Sequence, residues 1–290
     1  MADMTKTTMD VYLPEVWSAL PSITYRQSQL IWPLLDHRWE PEVVGQGDTI
    51  NVANFTQNTR SNVAKRSTFG TGASLTFVAT TEVQTQIVVN QMAIDPHRMP
   101  VEMSVQTMPM YKTLLLEGIG QALAQQMDYD IASDGTDGFD AFTAIGTDNV
   151  DVTEAVILQG ETNLNDNLAP QTGRYFVMSP ASRASILQIE VLRNQLYASA
   201  IGNLDGKKGN GYIGTIYSLD CYMDADLEAG TSGKKNFIGH TEAIAVAAQQ
   251  SPKIVRQLNI ADGIFEEVAG YVIYGFKQVK SAFGREVDGK

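Results

Sequence analysis

Cysteine is nearly absent from this 290-residue chain. The single copy, Cys221, excludes an intramolecular disulfide framework and fits folding in a reducing cytoplasm. Within the run IYSLDCYMDADL it reads as a small buried hydrophobe rather than a reactive thiol. Long apolar runs are missing too: no stretch approaches the roughly 20 residues a membrane-spanning helix needs. The opening MADMTKTTMD has neither the basic start nor the apolar centre of a signal peptide, so the expected product is intracellular. The Asn54-Phe55-Thr56 glycosylation pattern is then a chance match. Positive charge is scarce, with 21 Lys and Arg against 33 Asp and Glu and a formal net charge of −12. That balance argues against gripping nucleic acid through its phosphates, though not against lying beside DNA. With 43% hydrophobic residues, the chain can bury the core of one large domain or two intertwined ones.

Constellations that carry chemistry are equally sparse. His37, His97 and His240 fall in separate elements, and none has a partner at the i, i+4 spacing that puts two metal ligands on one helix face. Asp95 and Glu102 lie near His97, but no candidate nucleophile accompanies them, and His97 reads as a surface-loop residue. Gly209, Gly211 and Gly214 spell G-x-G-x-x-G, yet the dinucleotide fingerprint needs a strand before it and a helix after it. Here a loop with Lys207 and Lys208 precedes it and the strand-like TIYSLDCYM follows. Asp128, Asp130, Asp134, Asp137 and Asp140 miss the spacing of a twelve-residue calcium loop, which leaves a solvated acidic loop with at most weak cation binding. No nucleophile elbow and no phosphate loop occurs. No catalytic, cofactor or metal residue is assigned, and an enzyme is not expected.

What is present is an ordered series of parts. Residues 1–45 read as an arm whose apolar clusters, including Trp17 and Trp32, are broken by Pro14, Pro21 and Pro33. Residues 46–92 read as a long β-hairpin: Ile50 and Val52 alternate with polar neighbours, as do Leu75, Phe77 and Ala79, and Val83 to Val89 follows. The polar stretch between its strands is far longer than an ordinary hairpin loop of about two to five residues. A helix is expected over about 108–131, where Met108, Tyr111, Leu115, Ile119, Leu123 and Met127 recur at helical spacing. It would be about 36 Å long, with Pro109 tolerated in its first turn. Beyond it lie an expected helix from Thr153 to Leu164, a buried strand from Arg174 to Met178, and a helix opened by Ser179-Pro180 that runs to about Asn194. A glycine-rich loop, a strand from about Thr215 to Met223, a helix from Thr241 to Gln249 and mostly strands over the last forty residues complete the chain.

The order of these parts, an α+β arrangement, resembles the Hong Kong 97-type coat fold of tailed-bacteriophage major capsid proteins. EVWSAL and LIWPLLDHRWEPEVVGQGDTINVANF resemble the arm leading into the first hairpin strand, and LEGIGQALAQQMDYDI the end of the long helix. RYFVMSPASRASILQ, GYIGTIYSLDCYM and FIGHTEAIAVAAQQSPKI resemble successive segments of the axial domain. The resemblance implies an N-arm (1–45), an extended hairpin or E-loop (46–92), a peripheral P-domain with a spine helix (93–150 and 255–290) and an axial A-domain (151–254). It implies a shell protein that assembles as hexamers and pentamers into an icosahedral virion head in the host cytoplasm. That head would enclose double-stranded DNA without sequence-specific binding, with a portal and no membrane. Because the structured region starts almost at once, a separate scaffolding protein is implied. The covalent crosslink of some relatives is not carried over to Lys65.

A charge map bears on assembly independently of that resemblance. Thr49 to Thr81 holds no acid and three bases, Arg60, Lys65 and Arg66, whereas Thr113 to Gly173 holds no base and eleven acids. Two solvated surfaces of opposite sign are one reading. The other lays the basic hairpin of one subunit over acidic surface of the next, with Trp17, Trp32, Arg60, Lys65, Arg66, Asp134, Asp137 and Asp140 at the contact. Three rival identities remain open: an encapsulin-type nanocompartment with the same fold, an enzyme of unfamiliar type, and a secreted β-rich structural protein.

Overall fold

The structure, a computed structural model, describes residues 29–43, 47–55, 82–106, 109–190, 202–203, 211–260 and 263–290. Trp17, Arg60, Lys65, Arg66, the run from Leu75 to Ala79 and most of the glycine-rich loop lie outside the described residues. In chain order the elements are α1 (Glu40–Val43), β1 (Thr49–Phe55), β2 (Glu82–Val88), β3 (Gln91–Pro100), α2 (Val101–Gln106), α3 (Pro109–Ser133), β4 (Ala144–Gly146), α4 (Glu154–Asp166) and β5 (Arg174–Met178). There follow α5 (Pro180–Ile186), β6 (Gly202–Asn203), β7 (Tyr212–Ile216), β8 (Leu219–Met223), β9 (Lys234–His240), β10 (Ile244–Asn259), β11 (Phe265–Gln278) and β12 (Gly284–Gly289). The protein is mixed helix and sheet.

Helix α3 forms where its periodicity places it. Pro109 opens it, where a missing N–H costs nothing. Ile119, Leu123, Met127 and Ile131, each four residues from the last, are all buried. Against this stripe lies an antiparallel sheet in the order β10-β11-β3. Val268, Val272 and Tyr274 of β11 alternate inward to meet the helix. Gly270 continues that inward row, and a Cβ there would run into Ile119 and Leu123, so glycine lets helix and sheet close up.

The second half is a seven-stranded mixed sheet, β4-β12-β9-β5-β8-β7-β6. Strand β5 sits inside it, parallel to β8 and antiparallel to β9, and every residue of RYFVM is buried. Ser179 caps α5 by accepting the Ser182 amide at 3.0 Å, with Pro180 at the first position. A smaller core joins α1 to the β1–β2 hairpin through Val43, Ile50, Val52, Ile87, Val89, Ala245 and Ala247.

Several expectations change. The run from Thr215 to Met223 is not one strand but the β7–β8 hairpin, turned at Tyr217 and Ser218, whose φ values are 45° and 67°. Thr241 to Gln249 is not a helix. A single 3-10 turn, Thr241–Ala243, leads into β10, whose residues Ile244–Ala247 are fully buried between α3 and the hairpin root. The helix after Ser179 ends at Ile186, well short of Asn194. His97 lies on β3, not in a loop. Residues 244–254 run in the three-stranded sheet, and 284–289 form β12 of the seven-stranded sheet.

Candidate assembly surfaces

Residues 29–43 cross the body as a strap. The Asp128 carboxylate on α3 accepts three successive backbone amides: Oδ2 takes Leu30 at 2.5 Å and Ile31 at 3.1 Å, and Oδ1 takes Trp32 at 2.9 Å. Burial pushes the Asp128 carboxyl up to about 6, while the three amides pull the other way. Trp32 is only 8% exposed, edge-on to Tyr274 at 5.8 Å, and Tyr274 donates its hydroxyl to Asp130 on the same helix. The apolar surface of Trp32 is thus covered within its own subunit. Further along, the Asp36 amide donates to Ile244 and its carbonyl accepts Val246, so the strap pairs with the start of β10. Asp36 also holds the Arg38 guanidinium at 2.6 Å.

The outward face of the three-stranded sheet is divided. Its near half, at Ala245, Ala247 and Ile273, is covered by α1 and the root of the β1–β2 hairpin. Gly275 permits this, because a Cβ there would strike the backbone of Val88 and Val89. The far half is uncovered among the described residues. Strand register places Val255, Ala269 and Pro96 in one cross-strand row and Lys253, Tyr271 and Ile94 in the next. Ile94 is 52% exposed and Val255 43%. Cross-strand neighbours on one face lie about 5 Å apart, so Val255, Ala269, Pro96, Tyr271 and Ile94 form an apolar patch bordered by Lys253. Among the described residues the two outer strands of the sheet differ: β3 is blunted by Pro96 and Pro100, whereas β10 carries no proline from Lys253 to Asn259.

The acidic residues after α3 are more engaged than their count suggests. Asp137 pairs with Lys277 at 2.6 Å, and Asp140 pairs with Lys235, which also faces Glu286 at 3.7 Å. Asp134 accepts the Thr136 amide at 2.8 Å and, with Asp137, lines a small polar cavity beside Gln86, Asn90 and Lys277. Asp148 accepts the Ser232 and Gly233 amides, each at 2.9 Å, and Glu154 accepts the Tyr217 hydroxyl at 2.5 Å. Much of this stretch therefore ties elements together inside the subunit.

A chain of Mycobacterium phage Che8 matches this architecture with a TM-score of 0.74 at 16% identity, over 95% of this chain and 97% of that one. A chain of Microbacterium phage Oxtober96 gives 0.73 at 9% identity over the whole of both. One from the asymmetric unit of the bacteriophage PhiM1 mature capsid gives 0.67 at 13% identity, over 96% and 92%. This chain has the phage capsid fold. No protein-family profile and no curated protein matches its sequence.

Two of the three histidines and the cysteine have the following surroundings on this capsid fold. His240 is buried, its Nε2 2.8 Å from the Thr172 carbonyl and its Nδ1 accepting the Glu242 amide at 3.1 Å. Burial pushes its pKa down. His97 is exposed and 3.0 Å from Asp95. Cys221 is fully buried, and burial pushes its thiol up, away from reactivity. Sequence reasoning missed the Asp128 cradle and the bare sheet face. Nothing local signalled the first, because its amide donors lie 96 to 98 residues away from Asp128. The second was hidden because Pro96 and Pro100 speak against a strand except at a sheet edge.

Proposed function

We propose that this chain is the major capsid protein of a tailed phage, a structural subunit that self-assembles as hexamers and pentamers into the icosahedral shell around the genome. The observation that carries this reading is the whole-chain likeness to phage capsid subunits, from end to end of both chains. The bare apolar half-sheet supports it, because an exposed contiguous patch of this kind marks a protein contact. In this reading α3 and the three-stranded sheet make the peripheral domain, and the seven-stranded sheet makes the axial domain. The basic segment with Arg60, Lys65 and Arg66 reaches a neighbour, and Trp17 belongs to the arm that follows it there. Asp134, the least engaged of the three candidate acids, is the one freest to meet that segment; each exposed pair adds about 0–1 kcal/mol, so register benefits more than affinity. A portal and a separate scaffolding protein complete assembly, and a net charge of −12 keeps packaged DNA from adhering to the wall.

Negative-stain microscopy of the expressed protein tests the reading. Icosahedral shells or tubes are expected; a stable monomer or dimer would overturn it. Reversing Arg60, Lys65 and Arg66 to Glu is expected to suppress shells while leaving soluble subunits, and normal shells would refute the hairpin contact. An encapsulin-type compartment is separated by content: cargo protein inside native particles rather than DNA.

A further inference from the structure

The cradle at Asp128 joins residues 96 to 98 positions apart in the chain: three consecutive amides in the strap and one carboxylate on α3. Consecutive N–H groups converging on one point form an anion-binding nest, ordinarily filled by a phosphate or sulfate. Here a side chain of the same molecule fills it. Asp128 is 6% exposed, and Asp224 is the charged group that acts on it electrostatically from outside α3. Charge-assisted bonds to backbone amides are directional, and these three fix the φ and ψ of Leu30 to Trp32 at the point where the strap meets the body. One carboxylate on α3 therefore fixes the backbone at Leu30 to Trp32. Trp32 on Tyr274 and Asp36 on β10 hold the strap after that point, and before it the Gln29 side-chain amide reaches Met127 Sδ on α3 at 3.8 Å.

We propose that Asp128 is a positioning residue: it anchors the root of the N-terminal segment on α3 and thereby sets which neighbouring subunit that segment reaches. The second half of this statement rests on the capsid reading; the first does not.

Amide hydrogen exchange on the soluble wild-type subunit is the first test. Leu30, Ile31 and Trp32 are expected to be protected as strongly as the central amides of α3, although Leu30 and Ile31 belong to no helix or strand and Trp32 only opens the 3-10 turn Trp32–Leu34. Exchange at the rate of open chain would overturn the anchor. In Asp128→Asn those three amides are expected to exchange at least 10-fold faster while α3 and β5 keep wild-type rates. Equal acceleration everywhere would reduce Asp128 to a general stability residue and sink the proposal. Tyr274→Phe serves as the control: it removes the hydroxyl from Asp130 without touching the three amides, so it is expected to leave their exchange unchanged. Microscopy then reads the consequence. Asp128→Asn subunits are expected to give mixed sizes or open sheets, and shells identical to wild type in size and yield would overturn the directing role. Failure of wild-type subunits to form shells would instead strike the capsid reading, with the exchange comparison still deciding the anchor.

Discussion

Glu286 shows how a buried charge network sets the response to pH. It is 4% exposed on β12 and shares the Lys235 ammonium with Asp140, which lies closer to it. Burial, with Asp140 and Asp288 nearby, pushes the Glu286 carboxyl from an ordinary 4.5 up to about 8. Its folded-state pKa is raised, so its contribution to stability is complete below about 4.5 and is lost as pH rises through about 8. Asp128 acts in the same direction over a lower window, from 3.8 to about 6. Glu242 and Asp151 act oppositely: hydrogen bonds from Lys280 and Ser185 respectively hold them below the usual carboxylate range, so their contribution is lost on acidification. Thermal unfolding of the wild-type subunit is therefore expected to shift to lower temperature between about pH 5 and pH 8. Glu286→Gln, which cannot ionise, should flatten that slope. A variant as steep as wild type would place the titrating proton elsewhere.

Elements reveal which parts of the fold local sequence can encode. Helix α3, strand β5 and the Ser179-Pro180 helix start were legible because spacing, a continuous buried run and a cap each act through near neighbours. The β7–β8 turn was not, because Tyr217 and Ser218 occupy left-handed backbone that hairpins usually assign to Asn and Gly. At Ser218 the cost of that conformation is about 1 kcal/mol, and Ser218→Gly is expected to stabilise the subunit by about 0.5 kcal/mol, read from the denaturation midpoint. Unchanged or lowered stability would show that the turn is held without strain. The run TEAIAVAAQQ misled in the opposite way. Alanine favours helix in isolation, but Ala245 and Ala247 lie under the hairpin root, where only small side chains let α1 and β1 approach the sheet. Tertiary packing overrides propensity there. The Asp128 cradle was illegible for the same reason, since its donors lie almost one hundred residues away.

At the scale of the molecule, the described residues form a three-stranded and a seven-stranded sheet, with the two-stranded β1–β2 hairpin beside them and the strap of residues 29–43 across the body, and their surfaces divide into closed and open. The strap closes the start of β10, and the hairpin root closes the near half of the outward sheet face. What stays open among the described residues is the far half, with Ile94 beside Tyr271 and Val255 beside Ala269 in register. A free subunit is little affected by substitutions there, because exposed side chains have few contacts to lose; changes of about 0.5 kcal/mol are usual. In an assembled shell the same positions would be desolvated, and a buried unpaired charge costs far more. Ile94→Lys combined with Val255→Lys is therefore expected to keep the unfolding midpoint close to wild type while abolishing particles in sedimentation and microscopy. Shells of normal yield from the double variant would show that this face points to solvent in the assembly, and the neighbour contact would then have to lie elsewhere, with the unblunted edge of β10 from Lys253 to Asn259 the next surface to substitute.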